Sequence, residues 1–246
     1  MKIGLLSDIH SNLEALEVAL SILESENIEE MLCIGDIVGY GAEPDKCVEI
    51  MKAKTDHIVA GNHDWATIGK TDTQYFNIYG RSAILWTGQA LGPSQKAFLA
   101  ELPLYYTGED ICMVHASPAE PSEWDYVFSP SQALKQFHHF NEKICFIGHS
   151  HKPLVFSDQG EKIFIQETKD NPQLAIDISP DKRYIVNIGS VGQPRDGDPR
   201  GCVVVFDTEK DQIKFIRFEY PVKIAQRKII DAGLPIFLAE RLALGT

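Results

Sequence analysis

Metal-binding side chains follow short apolar runs at five places along this sequence. Each run is four to six residues long, as expected of a strand buried on both faces, and a glycine or a polar residue ends it. In open α/β sheets, ligand sites lie beyond the carboxyl ends of the strands, so we expect the five ends to converge on one site. The runs and the segments that follow them are Lys2–Ser7 with Asp8-Ile9-His10, Met31–Gly35 with Asp36, His57–Ala60 with Gly61-Asn62-His63-Asp64, Ile111–Val114 with His115, and Ile144–Ile147 with Gly148-His149-Ser150-His151.

The side chains at these ends suit a metal centre. They comprise three aspartates, one asparagine and five histidines, and such oxygen and imidazole donors favour first-row transition metals over calcium or magnesium alone. A single ion cannot use so many ligands. If Asp36 binds with both carboxylate oxygens, two cations can be bridged at roughly 3.5–4 Å, the geometry of in-line displacement at phosphorus. Alternate side chains of an extended chain point the same way, so both ends of Asp8-Ile9-His10 and of His149-Ser150-His151 should reach the centre.

The composition is that of a globular, acidic protein. With 246 residues, 44% of them hydrophobic, the chain can build a substantial core, and we predict a single α/β domain over residues 1–246. A net charge of −12 argues against a basic face for a nucleic-acid polymer or for an anionic membrane surface. An anionic substrate then needs local positive charge, which two divalent ions can supply.

The cysteines and the lack of targeting signals indicate the compartment. The five cysteines lie mostly in apolar runs and form no Cys-x-x-Cys pair, which predicts buried, reduced thiols. The sequence shows no basic leader with an apolar stretch and no apolar run of about 18 residues, so we predict a cytoplasmic protein.

The order of apolar patterns predicts the architecture. Residues 1–65 match a β-α-β-α-β unit with a parallel sheet. Residues 66–102 show no strand pattern and predict a helical insertion beside the site. From Leu154 onward, consecutive strands separated by turn residues predict a second, mainly antiparallel sheet that stacks on the first. Two C-terminal helical segments follow, and their apolar residues can pack within the core or against a second subunit in a homo-oligomer.

Taken in order, the motifs Asp-x-His, Gly-Asp, Gly-Asn-His-Asp, a lone His and Gly-His-x-His resemble those of the calcineurin-like metallophosphoesterase superfamily, over Lys2 to Arg200. The resemblance implies a four-layer α/β/β/α sandwich of two stacked mixed sheets flanked by helices. It also implies two divalent metal ions, and manganese, iron, zinc, nickel or cobalt would suit these donors. By the resemblance, Asp8, His10, Asp36 and His151 would hold one metal, and Asp36, Asn62, His115 and His149 the other.

The same resemblance implies a dinuclear metal-dependent phosphoesterase, a hydrolase of phosphate monoesters or diesters. Metal coordination lowers the pKa of water from about 15.7 to near 7, so metal-bound hydroxide could attack phosphorus at neutral pH. His63 has no metal in this assignment, and we expect it to donate a proton to the leaving group. A structural hydrogen bond at the strand end is its simpler role. Asp64 could orient the His63 ring or cap the following helix.

One motif differs from the protein Ser/Thr phosphatases of this superfamily, which have Gly-Asp-x-x-Asp-Arg-Gly. The corresponding segment, Gly35–Gly41, lacks the second Asp and the Arg, which argues against a protein substrate. Together with the loop 187–200, it resembles the compact bacterial and archaeal phosphodiesterase branch, including diadenosine tetraphosphatase-like proteins. The expected partner is therefore a small phosphorylated substrate, such as a nucleotide or a dinucleoside polyphosphate.

Two further residues are candidates for substrate contact. Arg195 lies in a loop rich in glycine and proline and could clamp a phosphate with its guanidinium. Alternatively, a structural ion pair could join an arginine of this loop to Asp196 or Asp198. Tyr40 could stack on a nucleobase or simply pack within its own loop.

A second function class remains open, a non-catalytic scaffold of the same fold that serves protein interaction. Some relatives of this kind lose the histidine of the Gly-Asn-His motif. His63 and all the expected metal ligands are present here, which favours the enzyme.

Overall fold

Two mixed β-sheets form the centre of the molecule. The structure, a computed structural model, describes residues 1–160, 162–167, 171 and 173–246. The strands are β1 (Lys2–Leu6), β2 (Glu30–Cys33), β3 (Tyr105–Thr107), β4 (Ile111–Val114), β5 (Ile144–Ile147), β6 (Leu154–Asp158), β7 (Ile163–Glu167), β8 (Ala175–Asp177), β9 (Arg183–Asn187), β10 (Gly201–Asp207) and β11 (Gln212–Phe218). The five-stranded sheet has the order β2-β1-β10-β11-β8, and the six-stranded sheet has the order β3-β4-β5-β9-β6-β7. Parallel pairs join β1 to β2 and β5 to both β4 and β9, whereas the other pairs are antiparallel.

Helices cover the outer faces of both sheets. Asn12 caps the first helix by accepting a hydrogen bond from the Ala15 amide, and a proline begins the second, as its restricted φ favours. As predicted, the insertion 66–102 contains helices and no strand. The α-helices are α1 (Leu13–Ser25), α2 (Pro44–Lys54), α3 (Asn62–Thr67), α4 (Ile78–Ala90), α5 (Pro93–Glu101), α6 (Pro130–Gln136), α7 (Val222–Asp231) and α8 (Ile236–Glu240), and short 3₁₀ helices form at Thr73–Tyr75, Pro121–Glu123 and Arg241–Ala243.

Three apolar clusters hold the layers together. Between the sheets, Leu5 and Val204 pack in one cluster with Phe146 and Val186. A second cluster joins the five-stranded sheet to α1, α2, α7 and α8, and a third joins the six-stranded sheet to α6. The predicted fold class, two stacked mixed sheets flanked by helices, is confirmed.

The predicted division of the chain between the sheets is wrong. Strands β8, β10 and β11, which follow Leu154, join β1 and β2, whereas β3, β4 and β5, which precede Leu154, lie in one sheet with β6, β7 and β9 through the pairing of β5 with β9. The apolar pattern determines which residues are buried, but it does not specify which distant strand completes the hydrogen bonds of another. Each sheet is therefore assembled from both halves of the chain.

The run His57–Ala60 does not form the predicted strand. It makes a single parallel bridge, Cys33 with Ile58, before the chain turns into α3. The Ala60 amide instead donates to the carbonyl oxygen of Pro103 (2.7 Å), so the ladder cannot continue. The run still delivers Asn62 and His63 to the same edge as the strands.

Two sequence expectations concern the whole chain. All five cysteines are buried and free, as predicted. Among the described helices, none has the length and apolar character needed to cross a bilayer.

Candidate metal centre

Five of the predicted ligands lie in tight turns and have left-handed backbone conformations. The φ angles are 53° at Asp8, 50° at His10, 51° at Asp36, 62° at His149 and 57° at His151. Residues other than glycine rarely adopt this region, and each costs roughly 1–3 kcal/mol unless the surroundings impose it. The expectation that these segments are extended is therefore wrong. Their side chains reach one centre because the backbone turns back on itself.

Hydrogen bonds tie the turns after β1, β2 and β5 to each other. The Asp8 amide donates to the Gly35 carbonyl, and the His10 amide donates to the Asp36 carbonyl, each at 3.0 Å. The His149 amide donates to Oδ2 of Asp8 (3.1 Å). The geometry of each ligand turn therefore depends on its neighbours.

The first ligand group is the one expected for the first metal. The donor atoms of Asp8, His10, Asp36 and His151 all lie within 4.8 Å of one another, and the four side chains are buried. Nε2 of His10 and Nε2 of His151 are 3.1 Å apart. Oδ1 of Asp8 also lies 3.1 Å from Nε2 of His151. These distances place four donors around one point.

Backbone carbonyls determine which nitrogen of each ring faces this point. Nδ1 of His10 faces the Val38 carbonyl (3.1 Å), Nδ1 of His115 faces the Ile34 carbonyl (2.6 Å), and Nδ1 of His151 faces the Gln193 carbonyl. A carbonyl oxygen can only accept, so each Nδ1 carries a proton and donates it, which leaves the Nε2 lone pair for a metal. Two such lone pairs 3.1 Å apart in His10 and His151 repel unless a cation lies between them. The donor set therefore fits a metal ion.

The second ligand group shares Asp36 with the first. The donors of Asp36, His115 and His149 lie within 4.8 Å of one another. Among the described residues, Oδ1 of Asn62 and Nε2 of His149 are buried and have no hydrogen-bond partner. Buried polar atoms normally have a partner, and coordination would supply one here. Three of the four ligands expected for a second ion therefore lie together, and the fourth, Asn62, lines the same cavity.

Asp36 lies between the two groups through one oxygen. Oδ2 is 3.6 Å from Nε2 of His10 and 3.2 Å from Nε2 of His115, whereas Oδ1 accepts the backbone amide of His63 (2.8 Å). One oxygen is thus turned towards α3, and the use of both oxygens in a bridge stays a prediction. A bridge in this geometry would pass through Oδ2.

Burial and neighbouring charges shift the pKa values of the cluster residues in different directions. Burial lowers the pKa of His149 to about 3, so its ring is neutral and able to bind a metal. Burial also opposes a charge on His115, but the neighbouring Asp36 carboxylate outweighs it and raises the pKa of His115 to about 9. Burial alone would raise the pKa of Asp36, yet the adjacent His115 and His63 hold it well below its usual value. The carboxylates that favour a proton on His115 would also attract a metal cation.

The cluster opens into a cavity of about 540 Å³. Asp36, Asn62, His149 and His151 form part of its wall. Residues 70–77 and the segment 122–126 form much of the rest. The further lining residues include the predicted His63, Tyr40 and Arg195 and the aromatic residues Trp65, Tyr75, Phe76, Trp124 and Tyr126.

His63 lies beside the ligands with its ring packed among other rings. Ring centroids are 4.3 Å from Tyr40, 4.8 Å from His10 and 4.9 Å from Phe76. Its Nδ1 has no hydrogen-bond partner among the described residues. The alternative role considered for His63, a structural hydrogen bond at the strand end, is therefore not seen for this atom. Burial lowers the pKa of His63 to about 4.

Asp64 binds the backbone rather than the His63 ring. Its carboxylate accepts the amides of Gly61 (3.0 Å) and Val38 (3.1 Å), and the described residues show no hydrogen bond between Asp64 and the ring of His63. The bond to Gly61 closes the first turn of α3. Of the two roles predicted for Asp64, these contacts favour the cap.

Arg195 and Tyr40 lie together at the cavity wall. Nε and Nη2 of Arg195 donate to Oε1 of Gln193 (3.3 and 2.8 Å), and the guanidinium carbon is 5.4 Å from the Tyr40 ring centre. Of the ion pairs considered for this loop, the one between Arg200 and Asp198 forms, whereas Asp196 pairs with Arg217 of β11. Tyr40 is buried, as a packed loop aromatic would be, although it also lines the cavity.

The aromatic residues around the ligands other than Tyr40 were not predicted as part of the site. The Tyr126 ring stacks on His149 with centroids 4.1 Å apart and an interplanar angle of 22°. The Trp124 ring lies edge-on to Trp65 and to His115. The available signal was three aromatics within the irregular segment 124–128, since exposed aromatic residues in loops often contact ligands.

Comparison with known proteins identifies the family. The model of the calcineurin-like phosphoesterase superfamily domain matches residues 1–211. An uncharacterized protein of Methanocaldococcus jannaschii is 41% identical over 247 residues, or 99% of this chain and 98% of that protein. The crystal structure of a metallophosphoesterase from Sphaerobacter thermophilus is similar with a TM-score of 0.90 and 37% identity, over 100% of this chain and 99% of that one. A hypothetical protein of Pyrococcus horikoshii shares the fold, with a TM-score of 0.78 and 22% identity over 100% of this chain and 98% of its own. The predicted family is confirmed, and the chain belongs to the calcineurin-like phosphoesterase superfamily.

Proposed function

We propose that the protein is a dinuclear metal-dependent phosphoesterase that hydrolyses a phosphate monoester or diester in a small molecule. The observation that carries this proposal is the pair of ligand groups that share Asp36 at the wall of a cavity of about 540 Å³. The same wall contains His63 and Arg195, a potential proton donor and a potential phosphate ligand.

The ligand set supports hydrolysis over mere storage of metal. Asp8 and Asp36 contribute two carboxylates to the two groups, and the remaining candidate donors, the imidazoles and the Asn62 amide, carry no negative charge. When bound, two divalent ions of manganese, iron, zinc, nickel or cobalt would polarise a phosphate and lower the pKa of a water molecule to near 7. Two carboxylates leave such a site with net positive charge, which attracts an anionic ester despite the acidic surface.

The residues beside the ligands have separate roles in this proposal. His63 donates a proton to the leaving-group oxygen, because its ring borders the cavity next to the ligand Asn62. A bound phosphate brings negative charge to the buried ring and raises its pKa, which favours the protonated form. Arg195 binds a phosphate oxygen through guanidinium donors that the Gln193 amide leaves free.

A combined metal and turnover assay tests the proposal. Metal-loaded protein is expected to hydrolyse p-nitrophenyl phosphate or its bis ester, and elemental analysis is expected to give two ions per chain. His63→Ala should lower turnover by roughly 10²–10⁴-fold, the usual effect of losing an acid catalyst, with the metal content unchanged. His138→Ala, a change at an exposed histidine outside the cavity, serves as the matched control.

Two results would contradict the assignment. Loss of metal in the His63→Ala variant would make His63 a ligand rather than a proton donor. If the metal-loaded protein hydrolysed neither ester and His63→Ala changed nothing, the scaffold function would be the better account.

A further inference from the structure

Two arginines share the neighbourhood of one aromatic ring beside the candidate site. The guanidinium carbon of Arg195 lies 5.4 Å from the ring centre of Tyr40, and that of Arg241 lies 5.9 Å from it. Arg195 belongs to the loop between β9 and β10, whereas Arg241 begins the last 3₁₀ helix. The Gly197 amide donates to the Gly245 carbonyl (2.8 Å), which joins these two segments.

Arg195 has no acidic partner among the described residues, although the sequence contains 35 acidic and 23 basic residues. Arg241 donates to the main-chain oxygen of Thr246, the last residue of the sequence. The nearby arginines do have partners, because Arg200 pairs with Asp198 and Arg217 pairs with Asp196. Among the described residues, Arg195 thus lacks the carboxylate partner that these neighbouring arginines have. An anion that is not part of the described chain would balance its charge.

Hydrogen-bond donors remain free on both side chains. Arg241 donates through Nε to the Thr246 carbonyl, and its two Nη nitrogens have no hydrogen bond to a described residue. Arg195 uses Nε and Nη2 on the same oxygen of Gln193. The ring contacts of Arg241 with Tyr40 and Phe237 do not consume N–H donors, because a cation is attracted to the ring face. Both guanidinium groups can therefore still bind an oxyanion.

The two side chains differ in their relation to the cavity. Arg195 lines it together with the metal ligands, whereas Arg241 lies outside its lining and contacts the Tyr40 ring. Burial and the nearby charge of Arg195 lower the pKa of Arg241 to about 10, so Arg241 remains charged at neutral pH. An anionic group at Arg241 would thus be separate from the phosphate held at the metal ligands.

We propose that Arg195 and Arg241 form a subsite for a second anionic group of the substrate, such as a second phosphate, beyond the phosphate that is cleaved. This inference rests on the proposed phosphoesterase function. It narrows the substrate class to esters that carry at least two anionic groups.

A matched pair of chromogenic esters tests the subsite. Thymidine 5′-(p-nitrophenyl phosphate) and the same ester with an added 3′-phosphate release the same product and differ by one anionic group. The added phosphate is expected to raise kcat/KM of the metal-loaded protein about tenfold, mainly through KM, as one or two charge-assisted hydrogen bonds would. In Arg241→Met this ratio should fall below about twofold, and Arg241→Lys should retain part of it because the charge remains.

Controls separate this result from a folding defect and from failure of the proposed function. Arg227→Met, at an exposed arginine of α7 that pairs with Asp231, should keep the wild-type ratio. A wild-type ratio near one, or an unchanged ratio in Arg241→Met, would overturn the subsite. If neither ester releases p-nitrophenolate, the phosphoesterase proposal fails, and calorimetric binding of the two esters then decides the subsite. Equal affinities would refute it, and tighter binding of the 3′-phosphate that requires Arg241 would support it.

Discussion

A single turn orients several ligands of the candidate centre. The carbonyl oxygens of Ile34 and Val38 accept the Nδ1 protons of His115 and His10, and the same turn supplies Asp36. Main-chain acceptors are set by the backbone and cannot change rotamer, so they fix the ring orientations more firmly than side chains would. A change in the backbone of this turn should therefore disturb both ligand groups at once.

Gly39 follows this turn directly and lies against the His63 ring, so the backbone there also affects His63. Its φ is 100°, and a Cβ atom at this position would lie 2.5 Å from Nδ1 of His63. We predict that Gly39→Ala displaces the His63 ring and lowers turnover by about 10²-fold, the effect of a misplacement of about 1 Å. Steady-state kinetics with p-nitrophenyl esters and metal analysis would measure this, and the metal content should not change.

Gly233→Ala is the matched control for backbone strain. Gly233 also has a positive φ, 73°, but a Cβ there meets no atom within 4 Å. Both variants should lose about 1–2 kcal/mol of unfolding free energy, because the left-handed region disfavours alanine. Equal turnover in the two variants would show that the close approach of Gly39 to His63 has no catalytic consequence.

A buried ion pair attaches the loop of Arg195 to the five-stranded sheet. Arg217 on β11 is 6% exposed and pairs with Asp196. We predict that Asp196→Asn lowers the unfolding free energy by about 3–5 kcal/mol, because it leaves a buried guanidinium without its charge partner. Urea unfolding of the purified protein would measure the change.

Asp198→Asn provides the comparison within the same loop. Its partner Arg200 has a side chain that is 33% exposed, so water can solvate the guanidinium that remains, and the loss should be only about 1 kcal/mol. If the two variants lost equal stability, the difference in burial between the two pairs would not control their contributions.

The sequence allowed the ligand positions to be located but not their backbone geometry. Glycine and polar residues after apolar runs indicated where Asp8, Asp36 and His149 would meet, because strand ends converge in open sheets. Left-handed φ angles at these residues are imposed by hydrogen bonds between the turns, and local preference alone disfavours them. The interleaving of the two sheets was missed for a similar reason, since strand pairing depends on distant partners.

The residues that line the cavity away from the candidate metal ligands were harder to predict than the ligands themselves. Tyr126 has no motif around it, and it reaches the site by stacking on His149, which lies in a different segment of the sequence. The ligands could be found because metal chemistry restricts the residue types, whereas many residue types can line a cavity. The motifs therefore identify the family from the sequence. The residues that would select a substrate come together only in the folded molecule.

For the whole molecule, metal binding and folding should be linked. The ligands come from the ends of β1, β2, β4 and β5 and from the start of α3, so the centre joins both sheets and exists only in the folded chain. A ligand that binds only the folded state adds stability by mass action. The repulsion between the His10 and His151 lone pairs would be relieved at the same time.

We therefore predict that removal of metal with a chelator lowers the Tm and that added manganese, zinc or cobalt restores it. At a free metal concentration about 100 times Kd, one site contributes about 2.7 kcal/mol, which corresponds to roughly 5–10 °C for a chain of this size. Asp36→Asn should abolish most of this increment, because Asp36 belongs to both ligand groups. Asp45→Asn, at an exposed acid in the first turn of α2, should keep it. Differential scanning calorimetry with and without metal measures the increment, and an equal increment in all three proteins would mean that the ions bind outside the cluster.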